Sequence, residues 1–228
     1  WHGGSTPGPH LIDWNDERES TPLAPMSADS RGTFAAGWLL DRMEEADPPR
    51  PVLVEWLDLA LSRRTLVKPL SIVSRLNRMA SDGDSELSSR IASLLPRIWD
   101  MDVEGASKLE QILLCRESNV RCALADALDE IIQRRGKQAL PLLDKLLSDE
   151  SKDVVRIAVG SLRLISDIDS EGFVNRCVVA TNHSDPGVQR RFTQTALRDY
   201  LNIYPDDQKG LTVKLWLDGD ELVRTRLR

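Results

Sequence analysis

Hydrophobic positions recur along this chain with a spacing of 33 to 35 residues. Each copy opens on a branched apolar residue, and most copies continue with apolar or small residues four, seven and eight positions later, on one face of an α-helix. The six opening residues are Leu53, Leu87, Val120, Val154, Val188 and Val223. A fixed period of this length is typical of stacked helical units, so the pattern predicts an all-α fold.

Short polar segments precede five of these copies and predict helix boundaries, because Asp, Ser, Asn and Gly interrupt one helix and cap the next. The predicted N-cap residues are Asp84, Asn119, Asp153, Asp185 and Asp220. A second apolar run lies upstream of each polar segment, at 66–80, 106–114, 140–147, 173–180 and 211–217. Each unit is therefore predicted to be helix, tight turn, helix. Stacking the units buries their apolar stripes in one core.

These units predict a right-handed superhelical α-solenoid of about five to six stacked helix-turn-helix repeats over 51–228. They resemble the repeats of the HEAT family, in which Asp, Val-Arg, Ala and Ala-Leu surround the second helix. The resemblance is carried by Asn119-Val120-Arg121 with Ala127-Leu128, by Asp153-Val154-Val155-Arg156 with Ala158 and Leu162, by Asp185 to Val188 with Arg190 and Ala196-Leu197, and by Asp220 to Val223-Arg224. The copies at Leu53 and Leu87 depart from it, since Leu replaces Val and no Arg follows directly.

The resemblance implies a fold and leaves the function open. Members of the family are scaffolds, transport adaptors, phosphatase subunits, sensor domains of larger bacterial proteins, pigment lyases and a few DNA glycosylases. In similar repeats, the Asp and Arg residues form a structural ladder.

An arginine recurs at nearly the same phase in the last four copies, as Arg121, Arg156, Arg190 and Arg224. One interpretation is a basic ladder that grips phosphates or an acidic partner. The other is internal bonding, in which each guanidinium binds the capping Asp or loop carbonyls of its own or the next repeat. We expect internal bonding to dominate. These four residues and Trp14 are nevertheless the candidate partner-binding residues.

The N-terminal part of the chain differs from the repeats. Residues 1–50 contain nine acidic and four basic residues, a net charge of −5, which leaves −1 of the total −6 for 51–228. We expect 1–32 to be an irregular acidic strap or linker, and 33–50 to be a capping helix, Thr33 to Glu45, followed by a Pro-rich linker. The chain begins at Trp1 and its last copy is cut at Arg228, so we also expect the repeat domain to continue beyond Arg228.

The nearly neutral repeat region argues against general nucleic-acid binding, which needs a surplus of Lys and Arg on one surface. Two local basic clusters are expected to be ordinary solvated helix faces: Arg63, Arg64, Arg75 and Arg78, and Arg190, Arg191 and Arg198. The three cysteines, Cys115, Cys122 and Cys177, are expected to be reduced, buried and cytoplasmic.

No catalytic or metal-ligating constellation emerges from the sequence. His2-Gly3-Gly4-Ser5 resembles an oxyanion-hole segment, but no Gly-x-Ser-x-Gly motif accompanies it. We therefore expect no enzyme activity, no catalytic residue, no metal and no cofactor.

The predicted function is a protein–protein interaction scaffold or a sensor or regulatory module, which could be part of a larger multidomain bacterial protein. The expected partner is another protein or another domain of the same protein, with no membrane and no small-molecule substrate. The alternative is a nucleic-acid-binding domain similar to the repeat-fold DNA glycosylases, although nucleic acid is the less favoured partner.

Overall fold

A computed structural model describes residues 28–45, 50–62, 69–205 and 208–227. Within these ranges the secondary structure is helical and no strand occurs, which confirms the predicted all-α class. The α-helices are α1 Ala28–Glu45, α2 Arg50–Ser62, α3 Pro69–Asp82, α4 Ser85–Ala92, α5 Leu95–Met101, α6 Val103–Leu114, α7 Ser118–Asp126, α8 Leu128–Arg135, α9 Leu140–Leu147, α10 Lys152–Val159, α11 Ser170–Thr181, α12 Pro186–Thr195, α13 Leu197–Ile203, α14 Gln208–Asp218 and α15 Glu221–Leu227. Two 3₁₀-helices span Gly136–Ala139 and Gly160–Leu164.

The helices pack in the manner of a helical repeat. The second helices, which carry the six recurring apolar residues, are α2, α4, α7, α10, α12 and α15, and each contacts the next. The first helices, α1, α3, α6, α9, α11 and α14, each pack against the second helix that follows. The recurring residues Leu53, Leu87, Val120, Val154, Val188 and Val223 are all buried. The periodic apolar positions therefore form the core that joins successive pairs.

Helix α1 extends further towards the N-terminus than predicted. It begins at Ala28, so 28–32 of the predicted strap is helical, and the rest of that strap, 1–27 with Trp14, lies outside the described residues. Leu39, Leu40 and Met43 on α1 are buried, and the helix contacts both α2 and α3. The helix predicted as a cap therefore packs against α2 in the same way that each other first helix packs against the second helix after it. It is the first helix of the first pair.

Each unit from α4 to α13 also contains a short third helical segment that the sequence pattern did not predict. These segments are α5, α8, the 3₁₀-helix Gly160–Leu164 and α13, and at most two residues separate them from the preceding second helix. At the first break, Pro96 lies in the first turn of α5, where it lacks an amide donor and clashes with a continuous helix. At the second break, Ala127 keeps right-handed helical dihedrals. Each of these second helices is therefore interrupted and continues as a short third segment.

Three of the five predicted N-caps are confirmed. The Asp84 side chain accepts a hydrogen bond from the Leu87 amide at 2.8 Å. Asp185 accepts from Gly187 at 2.8 Å, and Asp220 accepts from Val223 at 3.0 Å. Each carboxylate satisfies an amide that has no partner within the helix.

The other two N-cap predictions are wrong. Helix α7 follows Glu117 and α10 follows Ser151, so Asn119 and Asp153 lie inside the first turns. The boundary residue stands three positions before the recurring apolar residue in all five copies, whereas Asn119 and Asp153 stand only one position before it. Glu117 and Ser151 make no side-chain cap bond. The phase of the repeat predicts these boundaries better than residue type does.

Hydrogen bonds between units repeat the same spacing. Six side-chain bonds link residues 34 or 35 positions apart, so equivalent sites of neighbouring units face each other. The pairs are Arg75 with Asp41, Arg116 with the carbonyl of Ser81, Asn119 with Ser85, Arg134 with Asp100, Lys145 with Glu110 and Arg163 with Asp129.

Candidate binding site on the second helices

The residue one position after each recurring apolar residue has an internal role in three units. Its side chain donates a hydrogen bond to a carbonyl eight residues earlier, at or near the end of the first helix. The pairs are Ser88 with Ala80 at 3.1 Å, Gln189 with Thr181 at 3.4 Å and Arg224 with Trp216 at 2.9 Å. The last carbonyls of a helix have no partner within the helix, and these three side chains donate hydrogen bonds to such carbonyls. Arg224 is therefore engaged in internal bonding.

Arg121 occupies the same position and joins two units. Its Nε and Nη2 lie 2.7 and 3.0 Å from the two carboxylate oxygens of Asp149, and its Nη1 donates to the carbonyl of Arg116 at 2.6 Å. The Arg121 and Asp149 side chains are only 12% and 8% exposed. The hydrogen bond with Asp149 raises the pKa of Arg121. This arginine fastens the loop before α10 to helix α7.

Arg156 and Arg190 stand one position further along their helices than Arg121 and Arg224. One residue rotates a side chain by about 100° around an α-helix, so these two arginines face a different surface. The recurring arginines thus divide by helical phase: Arg121 and Arg224 bond main-chain carbonyls, while Arg156 and Arg190, the outward-facing pair, make ion pairs with Asp153 and Asp220.

Arg156 and Arg190 line a cleft of about 330 Å³ on the surface of the second helices. The cleft lies across α7, α10 and α12. Its lining residues are Asp126, Arg156, Ile157, Gly187, Arg190, Arg191 and Gln194. Three arginines and one aspartate give this lining a formal charge of +2.

The two outward-facing arginines make few internal contacts. Arg156 Nη2 lies 2.9 Å from Asp153 Oδ1, and both side chains are about half exposed. Arg190 Nε lies 3.2 Å from Asp220 Oδ2 and 3.4 Å from the carbonyl of Pro186. Arg190 thereby binds the aspartate that caps the next second helix, as internal bonding predicts, although its side chain and that of Asp220 remain 37% and 33% exposed. Partly exposed single-point ion pairs contribute little to stability and exchange readily. A guanidinium has five N–H donors, so most donors of both residues are available to a ligand.

Arg191 is the residue of the cleft that sequence reasoning missed, because it was assigned to an ordinary solvated face. Its side chain makes no hydrogen bond or close ion pair with any described residue. It lies over Gly160 of the preceding unit. A Cβ at Gly160 would stand 2.7 Å from Arg191 Nη2 and 2.9 Å from Nε, closer than real Cβ atoms approach other atoms. Only glycine at this position permits the observed placement of Arg191.

Asp126 is the acidic residue of the cleft lining. Desolvation by its surroundings raises the pKa of its carboxyl group, and the positive charge of Arg191 partly opposes that rise. The carboxylate therefore partly neutralises Arg191 from across the cleft and would compete with an anionic ligand for it.

The cysteines follow the prediction only in part. All three are free thiols. Cys177 is buried, and burial raises its pKa, whereas Cys115 is exposed and the expectation of burial was wrong there. Among the described residues, no group of three or more His, Cys, Asp or Glu side chains could hold a metal ion. No helix in the described part of the chain is long and apolar enough to cross a membrane.

No protein-family model matches this sequence, and no curated protein matches it. Among solved structures, the chain is similar to the crystal structure of an engineered protein from the Northeast Structural Genomics Consortium. The two are 17% identical, with a TM-score of 0.45, over 91% of this chain and 90% of the engineered one. A likeness of this degree transfers no function to the chain.

Proposed function

We propose that this chain is a protein-binding module that docks a partner on the surface of its second helices. The observation that carries the proposal is the cleft, which Arg156, Arg190 and Arg191 line and where Arg191 has no close internal partner among the described residues. Arginine is enriched at protein interfaces and supplies planar, directional donors. The expected partner is another protein or another domain of the same protein.

The architecture that we propose is an α-solenoid of HEAT-like repeats. The period of 33 to 35 residues, the regular first and second helices, and the inter-unit bonds between equivalent sites all support it. Stacked helical repeats present extended surfaces on which partners dock. The proposal requires neither catalysis nor a cofactor. The free thiols suit a reducing compartment, so we place the module in the cytoplasm.

Nucleic acid is the second candidate partner, because guanidiniums also bind backbone phosphates. A nucleic-acid surface usually extends over many phosphates and carries excess positive charge. Here 51–228 contains 27 acidic and 26 basic residues, and acidic Asp126, Asp153 and Asp220 stand in or beside the cleft. These observations favour a protein partner.

Site-specific photo-cross-linking tests the proposal. A photoreactive amino acid replaces Gln194 in the cleft of the full chain, and the matched control carries it at exposed Gln133 on α8, outside the cleft. In extract of the source cells, we expect one defined protein to cross-link from position 194 only. The charge reversal Arg191→Glu is expected to abolish that product.

Equal cross-linking from positions 194 and 133, or a product insensitive to Arg191→Glu, would exclude the cleft as the docking surface. A low-salt titration with duplex DNA tests the second candidate. Tight binding that Arg191→Glu removes would replace the protein partner by nucleic acid.

A further inference from the structure

We infer that the cleft receives a phosphorylated side chain of the partner, with Arg156, Arg190 and Arg191 as the phosphate-binding residues. This inference rests on the proposed function and names the chemistry that the partner presents. Its starting point is the number of unused donors in the cleft. Arg191 donates to no described residue, while Arg156 uses one nitrogen and Arg190 uses one.

The donor arrangement suits a phosphomonoester better than a carboxylate. A phosphorylated side chain presents three strong acceptor oxygens, whereas a carboxylate presents two. Three arginines on two neighbouring helices line the cleft, and the N–H groups that they leave unbonded can donate to the phosphate oxygens. Clusters of arginine are a recurring means of recognising phosphorylated segments.

The positive charge of the cleft is small and local, which suits one phosphate group better than a polyanion. Three arginines and Asp126 give the lining a formal charge of +2, and a phosphomonoester carries about −1.5 to −2 at neutral pH. Asp153 and Asp220 pair with Arg156 and Arg190 and balance this charge while the cleft is empty. A phosphate would exchange with these two ion pairs, whereas an extended polyanion would meet the displaced carboxylates next to the cleft.

Gly160 places the arginine with the most free donors. Because a Cβ at this position would collide with the Arg191 guanidinium, Gly160 provides the space in which the group lies. The atoms it would meet belong to the flexible end of a side chain, so Gly160→Ala displaces the guanidinium and need not disturb the backbone. Gly160→Ala therefore moves the Arg191 guanidinium but keeps its positive charge, so it tests whether the position of that charge matters.

The test uses the full chain, labelled for detection of arginine Nε–H resonances by NMR. The probe is a Gly-Gly-phosphoserine-Gly-Gly peptide, with the serine and glutamate peptides of the same length as controls at equal ionic strength. We expect saturable shifts of the Arg156, Arg190 and Arg191 resonances with the phosphopeptide only.

Four variants sharpen the test. Arg191→Ala is expected to weaken phosphopeptide binding at least about tenfold, the usual effect of losing a charge-assisted bond. Gly160→Ala is expected to weaken it severalfold although no charge is lost. Asp126→Asn is expected to strengthen it, because a competing carboxylate is removed. Arg198→Ala, which removes an exposed arginine outside the cleft, is expected to leave affinity and thermal stability unchanged.

The inference is overturned if the glutamate peptide binds as tightly as the phosphopeptide, if no shift saturates at millimolar peptide, or if Arg191→Ala has no effect. Duplex DNA that binds more tightly per phosphate through the same resonances also overturns it. If the partner still cross-links from position 194 after phosphatase treatment of the extract, the phosphate inference is wrong and the proposed function stands. If the phosphopeptide binds but no protein cross-links in a manner that depends on Arg191, the proposed function is wrong and the phosphate site stands.

Discussion

Two glycines, Gly136 and Gly37, differ in backbone conformation, and this difference decides what an alanine does at each position. Gly136, which caps α8 and begins the following 3₁₀-helix, has φ +55°, and within the described part of the chain no other residue has positive φ. Gly37 lies inside helix α1 with ordinary dihedrals. A Cβ added at either position meets no atom within 4 Å, so only backbone conformation distinguishes the two substitutions.

We expect Gly136→Ala to lower the free energy of unfolding by about 1–2 kcal/mol, because an L-residue is strained at this φ. Gly37→Ala is expected to raise it by about 0.5–1 kcal/mol, because alanine loses less conformational entropy in a helix. Urea denaturation of both variants measures the two values. Changes of the same sign would show that side-chain space, not backbone conformation, governs these positions.

The N-cap of α12 gives a second prediction at this scale. Asp185→Ala is expected to destabilise the chain by about 1 kcal/mol, because the amides of Gly187 and Val188 lose their acceptor. Asp153→Ala is the matched control, since Asp153 lies inside α10 and makes only an exposed ion pair with Arg156. Urea denaturation is expected to show a change of less than about 0.5 kcal/mol for the control.

The contribution of Asp185 depends on pH. Desolvation raises its pKa, but the Gly187 and Val188 amides and Lys152 lower it by more, so the folded pKa lies below the unfolded value of 3.8. The contribution is therefore fully present above that unfolded value and is lost as pH falls through the lower folded pKa. The stability difference between wild type and Asp185→Ala should shrink in acid. A difference that grows there would contradict this assignment.

At the element scale, position within the helix decides what an arginine does. Arg121→Ala is expected to cost about 3 kcal/mol, because it leaves the carboxylate of Asp149 buried without its cation. Arg156→Ala is expected to cost less than about 0.5 kcal/mol, since its ion pair is exposed. Chemical denaturation compares the two. Equal costs would mean that the arginines form one ladder after all.

A double-mutant cycle supports this comparison. In Arg121→Ala combined with Asp149→Ala, neither buried charge remains unpaired, so the combined cost should fall below the sum of the single costs. Additive costs would show that the two side chains act independently, contrary to the bidentate geometry.

The sequence predicted the elements well where hydrophobic residues decide them. The run predicted at 140–147 coincides with α9, and the recurring apolar residues are buried in every described unit. The pattern did not predict the third helical segments, although the apolar stripe of the second helices continues there. Buried Ile98, Ile131 and Ile165 lie on this continuation. Extending the apolar stripe of each second helix by about one turn predicts them.

The cleft could be predicted only in part. Arg156 and Arg190 were candidate residues, and the structure brings both into the cleft, whereas it engages Arg121 and Arg224 internally. Distinguishing these pairs needs the one-residue difference in helical phase. The importance of Arg191 depends on the space above Gly160 in another unit, and no periodic pattern records such a contact.

At the scale of the whole molecule, each unit contacts mainly its neighbours, so a defect should remain local. Leu124→Ala in α7 is expected to cost about 3 kcal/mol, because Leu124 is fully buried. Hydrogen exchange is expected to accelerate in α4, α7 and α10 and to change little in α1 and α15. Leu222→Ala, at a side chain that is 55% exposed, is the control.

Uniform acceleration across all described helices in Leu124→Ala would contradict this expectation. It would mean that the stack opens as one cooperative body rather than unit by unit. A measurable effect of Leu222→Ala on the same exchange rates would show that the exposed surface also couples the units.

The bonds between residues 34 or 35 positions apart have a consequence for how the molecule can change in length. In all six bonds the later unit supplies the donor and the earlier unit supplies the acceptor. Adding or removing one whole unit therefore preserves this direction, while adding ten residues inside a unit leaves donors and acceptors facing the wrong sites. Such a protein varies in steps of one unit, and the reach of its binding surface varies in the same steps.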